Sequence, residues 1–239
     1  MDSIEAISSG SKSGVGVLDK SVAILAFLSE EGPASLAEVV GGTGLPRPTA
    51  HRLLSALETH HLVSRQDGRY VLGLRLLGWG NRAAGVGLVG LALPVLEELR
   101  DESGESTQLY VREGEHRVCV ASVERVTGLR DSVPVGAVMP LSRGSAGKIL
   151  LAFAPGGVDS RPDAAELRGI RVRGWSESVA EREAGVASVS APVFGEDGRL
   201  RAAVSISGPI SRLTESPGQR LSHLVVDAAR KIEGMSGGA

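Results

Sequence analysis

The run from Arg47 to Ser55 carries Arg47, Pro48, Thr49, His51, Arg52 and Ser55 on the side of a helix away from an apolar stripe of Ala50, Leu53, Leu54 and Leu57. Guanidiniums and short polar groups near a helix N-terminus suit the edges of base pairs in a major groove, where arginine bonds guanine O6 and N7 in bidentate fashion. A second group suits a small ligand. Ser205 and Ser207 lie two apart in an extended run, hence on one face, and Ser188 and Ser190 repeat this across an Asp-Gly turn. Four such hydroxyls can line a polar pocket or cover a solvated sheet face while bonding to backbone, and their spacing leaves both open. The segment Arg143-Gly144-Ser145-Ala146-Gly147 opens a helix whose free N–H groups would suit a carboxylate.

Other patterns lack the context their chemistry needs. Gly85-Val86-Gly87-Leu88-Val89-Gly90 matches a dinucleotide-binding fingerprint, but a helical stretch precedes it where a strand is required. Ser145-Ala146-Gly147-Lys148 fits the S-x-x-K of penicillin-recognising enzymes without the S-D-N and K-T-G partners. As a P-loop the same stretch has Ser142 in place of the first glycine and Ile149 in place of Ser/Thr. His60 and His61 are adjacent and point about 100° apart on a helix, with no cysteine nearby to complete a metal set. His116 and Cys119 are three apart on a predicted strand, so they face opposite ways and form no nucleophile–base pair. No cofactor, metal or catalytic residue is expected, and Cys119 reads as a small buried hydrophobe.

The elements that must position these groups follow from periodicity. Leu18, Val22, Leu25 and Leu28 predict one face of a first helix, which Gly32-Pro33 stops. Ser35 with Glu38 three residues on predicts a capped second helix, short because Gly41-Gly42-Thr43-Gly44 ends it. Pro46 and Pro48 fit the first turn of a third. Two short extended runs, Leu62 to Arg65 and Arg69 to Leu72, then flank Gln66-Asp67-Gly68 as a β-hairpin that places Arg65 and Arg69 at its tip. Three helices and a hairpin make a winged helix-turn-helix. Residues 1–14 read as a disordered arm, and 74–103 as a helical connector with glycine interruptions. After Ser103 the period becomes two. Strands are predicted over Thr107 to Glu113, His116 to Glu124, Val186 to Phe194 and Leu200 to Ser207. Helices are predicted over Ser145 to Phe153 and Pro217 to Glu233, with a loop over Ala154 to Pro162. The mixture is an α+β domain.

Composition narrows the class. The 239 residues suit one large or two small domains at about 150 residues each. A single cysteine excludes an intrachain disulfide. The net charge of −2 excludes a uniformly basic nucleic-acid binder, yet residues 44–80 hold five arginines against Glu58 and Asp67, leaving +3 there and −5 elsewhere. The N-terminus carries Asp2 and Glu5 where a signal peptide needs basic residues, and the longest nearly apolar run, Ala83 to Leu96, is too short to span a bilayer. A cytoplasmic protein without membrane contact is expected.

Leu45 to Leu54, with Gly68-Arg69-Tyr70-Val71-Leu72-Gly73, resembles the DNA-binding domain of the IclR family of bacterial transcription regulators. Gly174-Trp175, Gly185 to Val193 and Ser205-Ile206-Ser207-Gly208-Pro209 are similar to that family's effector-binding domain. The resemblance implies a winged helix-turn-helix over 15–75, a linker helix over 76–103 and a GAF-like α/β effector-binding domain over 104–239, assembled as homodimers or dimers of dimers. It implies effector contacts at Ser145, Ala146, Ser178, Ser188, Ser205 and Ser207, with serine at 178 and 188 where some members carry aspartate and cysteine. Stretches such as Val15 to Lys20, Gly128 to Asp131 and Glu181 to Glu183 resemble an actinobacterial NdgR-like subgroup tied to leucine and other amino-acid biosynthesis genes. Residues 154–174 are shorter than is usual in the family, so a helix that often roofs the domain is expected to be reduced.

The function expected is a one-component regulator that is not an enzyme. A small carboxylate or amino acid bound to the second domain modulates its grip on an operator in double-stranded DNA. Two rivals stand beside it: a small-molecule enzyme built on the second domain, which would need a nucleophile with a base in reach, and a sensor adaptor whose winged helix binds protein.

Overall fold

The computed structural model describes residues 13–83, 87–155 and 161–236. The chain divides into two compact units, Met1–Ala83 and Ala84–Ala239. Residues 1–12 of the expected arm, and Gly85 and Val86 of the glycine-rich motif, lie outside the described residues.

In the first unit α1 (Gly16–Glu31), α2 (Leu36–Thr43) and α3 (Arg47–Thr59) precede a hairpin of β1 (Val63–Gln66) and β2 (Arg69–Leu72), then α4 (Arg75–Ala83). Ser35 starts α2: its hydroxyl accepts from the Glu38 N–H while the Glu38 carboxylate accepts from the Ser35 N–H, a reciprocal capping box. Gly44 ends α2 at φ +66°, a left-handed conformation that a β-carbon would strain, and its N–H closes on the Val40 carbonyl. Asp67 and Gly68 both adopt positive φ, as the tight turn between β1 and β2 requires. The core joins Ile24, Leu28, Val39, Leu54, Val63 and Tyr70. Hydrogen bonds in both directions between Ala34 and Tyr70 fasten the hairpin to the loop before α2.

The expected stripe of α1 holds only in part. Leu28 is buried and Leu25 partly so, but Leu18 and Val22 are 53% and 50% exposed, because the helix meets the core only through its C-terminal half, where Ile24 joins Leu28.

The capping carboxylate gives this unit an acid-sensitive joint. Bonds from the Ser35 backbone and hydroxyl, then from Arg69, hold the Glu38 carboxyl at about 2, below its ordinary 4.5. A depressed folded-state pKa supplies stability that is complete above the unfolded value and disappears as pH falls through the folded one. The stability difference between wild type and Glu38→Gln, followed by urea unfolding monitored by circular dichroism, is therefore expected to be full at pH 6 and to vanish between about pH 4.5 and 2.

The second unit begins with α5 (Leu88–Ser103) and builds one antiparallel sheet from β3 (Ser106–Glu113), β4 (His116–Val123), β5 (Val138–Pro140), β6 (Ser176–Val179), β7 (Val186–Phe194) and β8 (Leu200–Pro209), in the order β5-β4-β3-β8-β7-β6. The helices α6 (Ser145–Ala152), α7 (Ala164–Arg173), α8 (Ile210–Leu213) and α9 (Pro217–Ser236) complete it. Strand alternation divides the labour. Leu109, Val189, Val204 and Ile206 point to one face and pack with Leu96, Leu99, Val225 and Ile232 of α5 and α9. Tyr110, Cys119 and Ala203 point the other way and pack with α6 and α7 through Ile149, Leu150, Leu167 and Ile170. The fold class is mixed α+β, with a helix-turn-helix unit followed by an α/β unit.

Two short strands and two helices exceed what periodicity predicts. β5 and β6 have three and four residues, too few for an alternation to register. The segment expected to be short carries α7, ten residues that bury Ala164, Leu167 and Ile170. Arginines interleave with its apolar positions, which conceals the stripe in the sequence.

Candidate functional site

On α3 the apolar stripe is buried as its spacing requires, with Ala50 and Leu54 fully covered. Arg47, Pro48, His51 and Arg52 are exposed, and Thr49 and Ser55 are partly so. Among the described residues the side chains of Arg47, His51 and Arg52 have no hydrogen-bond or ion-pair partner. The wing arginines differ. Arg65 donates to Glu58 at 3.1 Å and to the Tyr70 hydroxyl at 2.6 Å, with its guanidinium 4.5 Å from the Tyr70 ring centre. Arg69 donates to both oxygens of Glu38, at 2.9 and 2.7 Å, and to the Pro33 carbonyl. Both remain about half exposed, and ion pairs so placed are worth roughly 0–1 kcal/mol. A phosphate can therefore compete for either guanidinium.

The second site is a small, partly open polar pocket between the sheet's second face and the start of α6, lined by Tyr110, Arg117, Asp131, Arg182, Ser145, Ser188, Ser205 and Ser207. Register explains how the serines meet. Ser188 pairs with Ser207 and Ser190 with Ser205 between β7 and β8, while Ser178 and Ser176 of β6 pair with Ser188 and Ser190. Ser145, the first residue of α6, lies 2.7 Å from both the Ser188 and Ser190 hydroxyls, and Ser190 donates to Ser205 at 2.9 Å. The hydroxyls thus form one bonded string from helix to sheet. Ser145, Ala146, Ser188, Ser205 and Ser207 line the cavity; Ser178, buried one strand further out, is not among its lining residues.

Charged groups that spacing did not single out for the site close it. Arg117 is 3% exposed, sends Nη1 to the carbonyls of Pro140 and Arg143, and lies over the Tyr110 ring. An arginine on a predicted strand, immediately before the mostly apolar run Val118 to Val123, was the available signal. Asp131 and Arg182, 51 residues apart, join with both carboxylate oxygens 2.6 Å from Nη2, a pairing no local pattern announces. The start of α6 is partly taken: the Gly144 N–H donates to Glu181 at 3.2 Å. Gly147 is where α6 comes closest to its surroundings, since a β-carbon there would lie 2.3 Å from the Leu141 carbonyl oxygen and 2.9 Å from Nη1 of Arg117.

The groups with nucleophilic potential are held inactive. Burial pulls the Lys148 pKa down, but ion pairs with Glu166 and Glu181 outweigh it and leave it above its ordinary value, so the amine is charged and no base for Ser145. Burial pushes the Cys119 thiol up to about 12 and keeps it protonated. Among the described residues no group of three His, Cys, Asp or Glu could hold a metal, and no helix is long and apolar enough to cross a membrane.

Residues 17–67 match the IclR helix-turn-helix domain, and residues 82–160 and 163–234 match the domain described as bacterial transcriptional regulator IclR C-terminal. The HTH-type transcriptional regulator KipR of Bacillus subtilis is 30% identical over 234 residues, covering 89% of this chain and 94% of KipR. The crystal structure of the Thermotoga maritima IclR superposes with a TM-score of 0.70 at 26% identity, covering 93% of this chain and 99% of that one. An IclR homologue from Microbacterium hydrocarbonoxydans, crystallised with 4-hydroxybenzoate, shares the fold at a TM-score of 0.71 and 23% identity, covering 93% of this chain and all of that one. The chain belongs to the IclR family of bacterial transcriptional regulators and is a DNA-binding regulator, not an enzyme.

Proposed function

We propose that a small carboxylate or amino acid bound in the serine-lined cavity modulates operator binding by this regulator, and that the genes controlled serve amino-acid biosynthesis, leucine's among them. The observation that carries the effector reading is a polar pocket with one buried and one partly buried arginine on one face of a sheet whose other face carries the main apolar core. The small acid held by the Microbacterium homologue agrees with it. The pathway rests on the subgroup resemblance of stretches such as Val15 to Lys20 and Glu181 to Glu183.

Arg47, Pro48, Thr49, His51 and Arg52 are the proposed major-groove surface, with Arg65 and Arg69 on adjacent phosphates. Ser145, Ala146, Ser188, Ser205 and Ser207 are the proposed effector contacts, and Ser178 acts one strand back through Ser188. The protein works as a homodimer or a dimer of dimers, because recognition helices read two half-sites only in pairs. The half-exposed Val15, Val17, Leu18 and Val22 near the start of α1 supply apolar surface for such pairing. An effector shifts the assembly only by the difference in its affinity for the two states.

The test is fluorescence anisotropy of the full-length protein on its own upstream DNA, with and without a panel of organic acids and amino acids. A change in operator affinity of about five-fold or more for at least one compound is expected. No change with any compound removes effector control, and no salt-dependent binding to that DNA removes the operator assignment.

A further inference from the structure

The connection between β6 and β7 is bounded by two left-handed residues, Ala180 at φ +57° and Gly185 at φ +86°. The alanine carries a β-carbon into a region that glycine favours, and such outliers cluster at ligand clamps and switch segments. Between them, Glu181 and Arg182 are tied to the rest of the unit through their side chains. The Glu181 carboxylate accepts from the Gly144 N–H at 3.2 Å and from Lys148 Nζ at 2.5 Å. Nη2 of Arg182 donates to both oxygens of Asp131, and among the described residues this guanidinium makes no other hydrogen bond. The Asp131 side chain is buried and that of Arg182 partly so.

The pair spans the sheet. β4 ends at Val123, opposite Thr107, which in turn stands opposite Ile206; Ser207 stands opposite Ser188, and β6 ends at Val179, opposite Ala187. The β4–β5 connection with Asp131 and the β6–β7 connection with Arg182 therefore leave the same end of the sheet, on either side of β3 and β8. Three strand spacings, roughly 14 Å, separate β4 from β7. Asp131 and Arg182 bridge that gap on the face where Ser188, Ser205 and Ser207 line the pocket, and both line it themselves. The Asp131 side is fastened down. Arg212, held by the buried Glu105 at 2.5 and 2.7 Å, donates to the Leu129 carbonyl at 2.7 Å, and Val133 packs into the core beneath.

From this arrangement we infer that residues 181–184 form a gate over the pocket, hinged at Ala180 and Gly185 and latched by Arg182 on Asp131. Glu181 on Gly144 and Lys148 is its second catch. A ligand enters and leaves when the latch parts. Opening frees one short segment and leaves both faces of the sheet packed, so the gate moves without unfolding the unit. The inference rests on the effector reading above for what passes the gate, whereas the latch itself is open to test without a ligand.

Limited trypsin digestion of the full-length protein, followed by mass spectrometry, provides that test. Cleavage after Arg182 reports lifting of the gate, and cleavage after the buried Arg117 of β4 reports unfolding of the sheet. Asp131→Asn is expected to speed the first cut by at least about ten-fold and to leave the second within about two-fold of wild type. Arg182→Lys keeps a tryptic site while losing the guanidinium, and should behave alike, so the test survives should the first variant fail to fold. Exchange of trifluoroacetate, 3,3,3-trifluoropropanoate and 4,4,4-trifluorobutanoate on and off the protein, read from fluorine NMR line shapes, should quicken by a similar factor. Equal cleavage after residue 182 in wild type and variants, an acceleration matched at Arg117, or unchanged exchange of a bound probe overturns the gate. Faster cleavage after residue 182 with none of the three acids bound by any of the proteins supports the latch and overturns the acid-effector reading.

Discussion

Arg52→Ala is expected to weaken operator binding by about 2 kcal/mol, or roughly thirty-fold, with no measurable loss of folding stability. The side chain is exposed on α3, one turn from the helix start, and makes no bond within the described residues. Truncation therefore leaves nothing buried and unpaired, and surface changes of this kind stay within about 0.5 kcal/mol of wild type. Arg47→Ala is expected to behave alike. The wing supplies an internal contrast. On the proposed assignment Arg65→Ala removes a phosphate contact and not a base reader, so it should lower affinity evenly across sequences and reduce the slope of log affinity against log salt by about 1. Anisotropy titrations at several salt concentrations separate the two behaviours. Unchanged affinity in both Arg47→Ala and Arg52→Ala would mean that another element enters the groove.

Gly147→Ala is expected to destabilise the second unit by about 3 kcal/mol and to abolish effector binding. The added methyl would lie 2.3 Å from the Leu141 carbonyl oxygen, which is backbone and cannot swing aside, and 2.9 Å from Arg117 Nη1. Relief requires α6 to lift off the sheet, which parts Ser145 from Ser188 and Ser190. Gly169 in α7 provides the control. It is also helical, nothing lies within 4 Å of its would-be β-carbon, and alanine there should stabilise by about 0.5–1 kcal/mol. Calorimetric melting of the two variants should move in opposite directions. A Gly147→Ala protein that melts with the wild type would show that α6 is free to move away from the Leu141 carbonyl.

The sequence carries the first unit almost to the residue. Its signals are local: a capping box at Ser35, a stripe with period 3.6 on α3, and a turn of two positive-φ residues between short strands. It misleads at Leu18 and Val22, because periodicity reports that a face is apolar and not whether the same unit covers it. In the second unit alternation finds the four long strands and aligns the serines on one face. Register, which brings Ser178, Ser188 and Ser207 into a single row, is a property of three strands together. The ionic half of the cavity is legible only in space. Asp131 and Arg182 meet across 51 residues.

The two faces of β7 and β8 have a consequence for how relatives can diverge. Odd positions of β7 (187, 189, 191, 193) and even ones of β8 (202, 204, 206) hold the unit together, while Ser188, Ser205 and Ser207 between them line the pocket and Ser190 bonds to Ser145 and Ser205. Selection for a new signal can therefore act on alternate codons of two strands without eroding thermostability, since each changed side chain projects away from the helices that secure the sheet. A gene duplicated into a new metabolic setting needs only a handful of substitutions, at predictable parity, to acquire a different chemical sense.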